Sequence, residues 1–329
     1  MSSTQFQPTF RMTTLATLTL LMAALTANMS AQRGAAQMLR HRPLSGRRQS
    51  VASAGAQTTL GSSPFLPISY PGGIANQFAA GINDKGKIVG IVGLPDGSFQ
   101  GYLLQGTTFK LIAYPGAPSS GAFAINKSGL IVGFYCDDVA CDTAGHGFAL
   151  KGKNYAALDY PGGMNTEANG VNAAGDITGS YQSTDGILHG FLLHKGTYTS
   201  FDIPGSIQTA PLSINKQGTI VGDFVANDGQ GGHGFILQGG VFTQVDYPGA
   251  YGTGLYGIND SGDIVGGEVD SQGGISHGFL LSGVVFTVFD VPFPGQLETS
   301  PNGLNNNHQI VGSYGSFPPD YFFGFLTTY

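Results

Sequence analysis

The 329-residue chain has no tryptophan, two cysteines and a charged fraction of 10%, against about 25% in ordinary soluble domains. So little charge, beside 53 glycines and 17 prolines, excludes a coiled coil or long-helix protein and points to many short strands between tight turns. Arginine is missing after Arg48, and no acid precedes Asp84. The residues from 65 onward therefore set eight lysines against all twenty acids, a net −12. A surface of that sign repels phosphates, so nucleic acid is excluded as a partner. Also missing are a nucleophile elbow, a zinc-protease helix, a phosphate loop and a dinucleotide fingerprint. The sequence thus names no catalytic residue, metal or cofactor. What it does hold is 41% hydrophobic and 11% aromatic residues, enough for a core.

The first 64 residues differ from the rest. Arg11 precedes an uncharged apolar run, Met12 to Ala27, followed by the small residues Ala27, Ser30 and Ala31. This charged, apolar, small-residue order predicts a secretory signal over residues 1–31 and a secreted, extracellular or periplasmic, product. The run is short of the ~20 apolar residues of a membrane span, although a retained anchor is the alternative. After cleavage no transmembrane segment remains. Residues 32–64 hold five arginines among Ser, Ala and Gly without periodicity, as a disordered basic linker would.

From residue 65 the chain repeats itself six times. Asn-x-x-Gly recurs at Asn83, Asn126, Asn172, Asn215 and Asn259, with a degenerate copy at Asn305. His-Gly-Phe recurs at His146, His189, His233 and His277, with variants at Gln100 and Phe323. Asp-x-Pro-Gly recurs at Asp159, Asp202 and Asp246, and in a stretched form at Asp290. Each repeat holds four strand-like runs, two hairpins and one linker. That composition predicts an all-β chain: a six-bladed β-propeller of four-stranded antiparallel blades over residues 65–329. A β-solenoid is the other candidate, though its repeats are usually shorter. The last copy lacks a fourth strand, while the segment around Phe65–Ser69 is a fourth strand without a blade. The N-terminal strand is therefore expected to complete the last blade and close the ring.

Four histidines at equivalent positions suggest a metal or catalytic site, but a simpler reading is available. Each stands 13 residues before an aspartate, and a two-residue hairpin sets the two directly opposite. The pairs are His146–Asp159, His189–Asp202, His233–Asp246 and His277–Asp290. Where the histidine is absent the aspartate is too: Gln100 faces Ala113, and Phe323 faces Ser69. These are expected to be structural pairs within each blade, distributed around a ring where a metal would need convergence.

Cys136 and Cys141 lie in one loop and, in an exported protein, form a local disulfide. Asp137, Asp138 and Asp142 beside them lack the oxygen spacing of a calcium loop. Tyr70, Tyr114, Tyr160 and Tyr247 precede Pro-Gly in the linkers. Thr166, Thr209, Thr253 and Thr299, with Ser120, recur six residues before the repeat asparagine. They suit packing of the crossover between blades, or a glycan at the rim. Glu167, Glu268 and Glu298 are the only glutamates and depart from the repeat.

His-Gly-Phe, then Phe-Thr-x-Phe-Asp with Pro-Gly, then Ile-Asn-x-x-Gly-x-Ile-Val-Gly, resembles the bacterial extracellular HAF-repeat family over residues 65–329, with glycine in place of the alanine of His-Ala-Phe. The resemblance implies an exported repeat protein and carries no catalytic role. The expectation is a monomeric, non-enzymatic binding or scaffold module whose unknown extracellular ligand (glycan, protein or cell envelope) meets one propeller face. The alternative is a carbohydrate-active hydrolase or lyase with carboxylates at the channel mouth.

Overall fold

The computed structural model describes residues 60, 63–73, 76–141, 144–229, 231–270, 276–293, 298–316 and 321–329. The predicted leader and most of the linker lie outside them. Each repeat forms one four-stranded antiparallel sheet, its strands adjacent in chain order. The first strands line the axis: Gln77–Ile82, Ser119–Ile125, Met164–Val171, Ser206–Ile214, Gly252–Ile258 and Glu298–Leu304. Six such sheets make a six-bladed β-propeller, blades 1 to 6 in the order of these inner strands. The strand Leu66–Ile68 pairs antiparallel with Tyr321–Thr328, Ile68 opposite Gly324, and is the outermost strand of blade 6. The ring is closed by the N-terminal strand, as the unequal ends of the repeat region predicted.

The repeat motifs correspond to packing positions. The aromatic of His-Gly-Phe and its variants is Tyr102, Phe148, Phe191, Phe235, Phe279 or Phe325, all almost fully buried. Each is worth about 1.5–3 kcal/mol of burial. The glycine that follows the apolar pair of the second strand lies against the inner strand. A Cβ on Gly90, Gly179 or Gly266 would meet an inner-strand carbonyl oxygen at 1.9–2.1 Å. The middle glycine of His-Gly-Phe lets the next blade approach: a Cβ on Gly190 would meet Pro211 at 2.9 Å, and one on Gly278 would meet Pro301 at 2.9 Å.

The inner strands are longer than the sequence suggested. That of blade 3 begins at Met164, eight residues before its repeat asparagine, Asn172. Each carries a register shift at the same place, three residues before its asparagine. This β-bulge breaks the two-residue alternation by which a strand is recognised. The threonines that seemed to sit in linkers are therefore inside the inner strands.

Candidate functional site

The two ends of the blades are built differently. At one end lie the Asn-x-x-Gly turns. The Asn126 side-chain oxygen accepts from the amides of Ser128 and Leu130, each at 3.0 Å, and Gly129 donates to the Asn126 carbonyl at 2.9 Å. The asparagine thus closes its own turn. Its Nδ2 then leaves the blade and donates to the Asn172 carbonyl at 2.9 Å. The same step runs from Asn83 to Asn126, Asn172 to Asn215, Asn215 to Asn259 and Asn305 to Asn83. Between blades 5 and 6 the pattern changes: Asn259 donates to Asp263 and to the Tyr329 hydroxyl, which in turn donates to Asp263. The motif expected to make hairpins also clasps neighbouring blades. Sequence reasoning missed this contact because the partner carbonyl is 43 to 46 residues away in most blades and 222 away at the closure.

At the other end lie the linkers and the loops between second and third strands. His146, His189, His233 and His277 bring Nδ1 to within 2.9–3.0 Å of Asp159, Asp202, Asp246 and Asp290. His233 is 8% exposed and meets a second carboxylate, Asp228, at 2.9 Å through Nε2. The hydrogen bonds to Asp202 and Asp246 raise the His189 and His233 pKa values. Each imidazole rests on the residue opposite it in the second strand, which is Tyr135, Tyr181 or Phe224 in blades 2 to 4. In blade 5 that residue is Glu268, whose pKa is raised by burial.

The linker tyrosines pack inward. Tyr70, Tyr114, Tyr160 and Tyr247 each meet an outer-strand aromatic of the next blade edge-on, at 5.2–5.4 Å, through Phe109, Tyr155, Tyr198 and Phe286. Tyr114 and Tyr160 also stack on Tyr135 and Tyr181 at 3.7 and 3.6 Å. Thr166, Thr209, Thr253 and Thr299 are buried. Their hydroxyls accept the linker amides of Tyr160, Ile203, Tyr247 and Val291 at 2.9–3.1 Å. This geometry ties each linker to the next inner strand and leaves the hydroxyl engaged and shielded. Cys136 and Cys141 are joined by a disulfide across their loop; Asp142 lies outside the described residues.

A concave site lies on the axis. The six bulged residues, Ala80, Phe123, Asn169, Leu212, Tyr256 and Asn302, line it together, as expected of a bulge that re-aims a side chain. The cavity at this level holds about 100 Å³, room for a few waters and well below the ~300–1,000 Å³ of a small-molecule pocket. A larger ligand must sit above it, towards the linker end. There the walls differ in chemistry. On the side of blades 6, 1 and 2, Phe322 stacks on Phe78 at 5.5 Å and Phe123 on Phe134 at 5.0 Å. On the side of blades 3 to 5 the inner and second strands carry Glu167, Asp223 and Tyr256, with Glu298 close enough to act on Tyr256.

Burial pushes the carboxyls of Glu167 and Asp223 up to about 7 each, because enclosure among protein atoms disfavours the charged form. Tyr256 is raised by burial and by the charges of Asp223 and Glu298. Its ring occupies space left by two glycines: a Cβ on Gly254 would meet it at 2.4 Å, and one on Gly267 would meet its hydroxyl at 3.0 Å. Among the described residues no lysine or arginine lies in the channel or at the linker end. Lys110 sits midway along an outer strand, and the other lysines lie at the turn end. Every described acid except Asp84, Asp176, Asp260 and Asp263 belongs to the linker end or the channel. Glu167 and Glu298 were visible as departures from the repeat. Asp223 was not singled out, although it stands where the other repeats have Ile91, Phe134, Ser180, Gly267 and Ser313.

No family model and no curated protein matches the sequence. Solved structures do. A triple mutant of AofleA from Arthrobotrys oligospora matches with a TM-score of 0.51 and 15% identity, over 86% of this chain and 90% of that one. The shared feature is the fold. A fungal lectin from Aleuria aurantia, described as a six-bladed β-propeller with a novel fucose recognition mode, matches at a TM-score of 0.42 and 14% identity, over 70% of this chain and 80% of its own. YCF48 bound to D1 peptide matches at 0.44 and 11% identity, over 83% and 97%. At these identities the likeness concerns architecture, and the site has to be argued from its own residues.

Proposed function

We propose that the protein is an exported saccharide-binding module of the HAF-repeat kind, taking its ligand at the linker-end mouth of the channel. The observation that carries this reading is the two-sided wall. Aromatic rings on one side suit the C–H faces of a sugar, and carboxyl, amide and phenol groups on the other suit its hydroxyls. The tyrosines and threonines of the linkers build the rim that positions this wall. Membership of the family, export through residues 1–31 and action as a monomer belong to the same proposal. Among the described residues no helix is long and apolar enough to cross a membrane.

The test is a glycan-array screen of the full chain, followed by titration of each hit against Phe123→Ala and Asn169→Ala. Binding that falls at least tenfold in both variants, with the circular-dichroism spectrum unchanged, supports the reading. No bound glycan, or hits indifferent to both substitutions, overturns it. One observation favours a second reading, a hydrolase: Glu167 and Asp223 titrate near the range where a general acid works at neutral pH. Release of reducing ends from a bound glycan, abolished by Glu167→Gln or Asp223→Asn, would establish that reading instead.

A further inference from the structure

We propose that the saccharide taken at this mouth carries free amino groups, as in a de-N-acetylated hexosamine oligomer; the inference rests on the saccharide-binding reading above. It starts from a missing counter-charge. Glu167 accepts no hydrogen bond from any described residue, and Asp223 is bonded only to its own backbone amide. On the same sheets they face Ser180 in one case, and Ala210 and Gly234 in the other, none of which can balance a carboxylate. Tyr256 and Glu298, the remaining ionisable groups at this level, are acidic as well. Elsewhere in the protein exposed carboxylates find partners. Asp159, Asp202, Asp246 and Asp290 each hold a histidine, and Asp176 holds His194 at 2.7 Å. Glu167 and Asp223, in the channel, lack one.

The opposite wall narrows the class of cation. A metal ion would want several oxygens converging on one point, and among the described residues no group of three or more His, Cys, Asp or Glu is placed to hold one. Across the ring the channel is lined by the Phe123 ring, which stacks on the buried Phe134. Such a wall offers C–H contact and ring faces that attract an ammonium group. An amino sugar has both parts: a ring with an apolar face, and an ammonium that ion-pairs with a carboxylate. An N-acetylated sugar of the same size has the first and lacks the second. Acidic sugars are disfavoured by a mouth that has no lysine or arginine among its described residues.

The test titrates the full chain with a glucosamine hexamer and with an N-acetylglucosamine hexamer at pH 7 and 0.15 M salt. The expected result is binding of the amine form at least tenfold tighter than the acetylated form. The double variant Glu167→Gln/Asp223→Asn should lose at least tenfold for the amine form and little for the acetylated one. Asp185→Asn, on the rim, should change neither. A direct signature goes with this: calorimetry at pH 6 in buffers of different ionisation enthalpy should record proton release, because an ammonium forces both carboxyls to ionise. Equal binding of the two hexamers overturns the amine proposal and leaves the saccharide reading standing. So does an array whose hits are all neutral glycans. Amine binding that survives the double variant but vanishes in Asp185→Asn or at 0.5 M salt overturns the channel assignment in favour of diffuse attraction to the rim. Absence of any glycan binding removes the parent reading itself.

Discussion

At the turn end of the ring, five of six repeats keep the same Asn-x-x-Gly turn, and five of the six asparagines clasp the next blade in the same way. At the linker end each blade finishes differently: a disulfide loop in blade 2, a doubly paired histidine in blade 4, a glutamate under the histidine in blade 5. The reason is in the bonding. Each repeat asparagine serves its own turn through the side-chain oxygen and its neighbour through Nδ2, and no other side chain supplies both groups at that reach. The linker end has no residue so committed. Its histidines bond within their own blades, its tyrosines and threonines tie a linker to the next blade, and the solvent-facing loops between them can vary without opening the ring. Regularity marks what the ring needs to stay closed, and irregularity marks where a ligand can be chosen.

The most severe way to break this comparison is to open the closure itself. Deleting residues 65–72 removes the outer strand of blade 6 together with Ile68 and Phe65, which pack into the cores beside blades 1 and 6. Two large apolar side chains at ~1.5–3 kcal/mol each, with a strand ladder lost besides, predict destabilisation on the order of 5 kcal/mol. An unchanged melting temperature would refute the closed ring. Next comes the clasp. Asn126→Ala removes the turn acceptor and the donor to Asn172, and should cost about 3 kcal/mol in urea unfolding. Asn259→Ala should cost about 1 kcal/mol less, because that amide is shared between its own Asp263 and the terminal Tyr329 hydroxyl of blade 6 and reaches no neighbouring turn carbonyl. Equal losses would show that the turn, and not the clasp, carries the effect.

Much of this arrangement can be read from the sequence, and the exceptions have a physical cause. The histidine–aspartate contacts are legible because a two-residue hairpin fixes which residues face each other. The closure is legible because an unpaired strand at one end and a missing strand at the other are complementary. The inner strands are only half legible, since the bulge inserts an extra residue at Ala80, Phe123 and their equivalents and destroys the period of two. The clasp is invisible locally, as nothing near Asn83 reveals that the carbonyl of Asn126 will stand beside its amide. Asp223 lies between these cases. It sits inside a buried strand motif, Val221-Gly222-Asp223-Phe224, and only alignment of the six second strands marks it as the one acid among Ile, Phe, Ser and Gly. The environment that lifts its pKa comes from other strands and blades, so its chemistry is tertiary.

The channel carboxyls sharpen the comparison from the linker side. Their folded pKa values of about 7 exceed the unfolded values of 4.5 and 3.8, so between those limits the folded protein holds protons that the unfolded chain has released. Stability therefore falls as pH rises from about 4 to about 7, and the full loss applies above 7. Glu167→Gln and Asp223→Asn should each be close to neutral at pH 4 and stabilising by about 2 kcal/mol at pH 8. A site that binds better charged than it folds is the signature of residues kept for a ligand. Flat ΔΔG values from pH 4 to 8 would mean that channel water already solvates the carboxyls, and the missing counter-charge would lose its force.

The smallest effect separates the histidines from those carboxyls. His189 and His233 have raised pKa values in the folded state, so their ion pairs stabilise fully below the unfolded value of about 6.5. That contribution is lost as pH rises through the folded values. Both devices make the protein weaken with rising pH, but in successive windows. In the Glu167→Gln/Asp223→Asn background the lower window should shrink to what Glu268 contributes, while the upper one remains, with a fall of about 1 kcal/mol across it for two charge-assisted bonds at half-buried sites. Adding His189→Gln and His233→Gln should flatten that remainder and leave ligand affinity untouched, since both imidazoles are bonded within their own blades. If the histidine substitutions instead abolished binding at full stability, the linker end would be a site in its own right, and the division between a fixed ring and a selective channel would have to be redrawn.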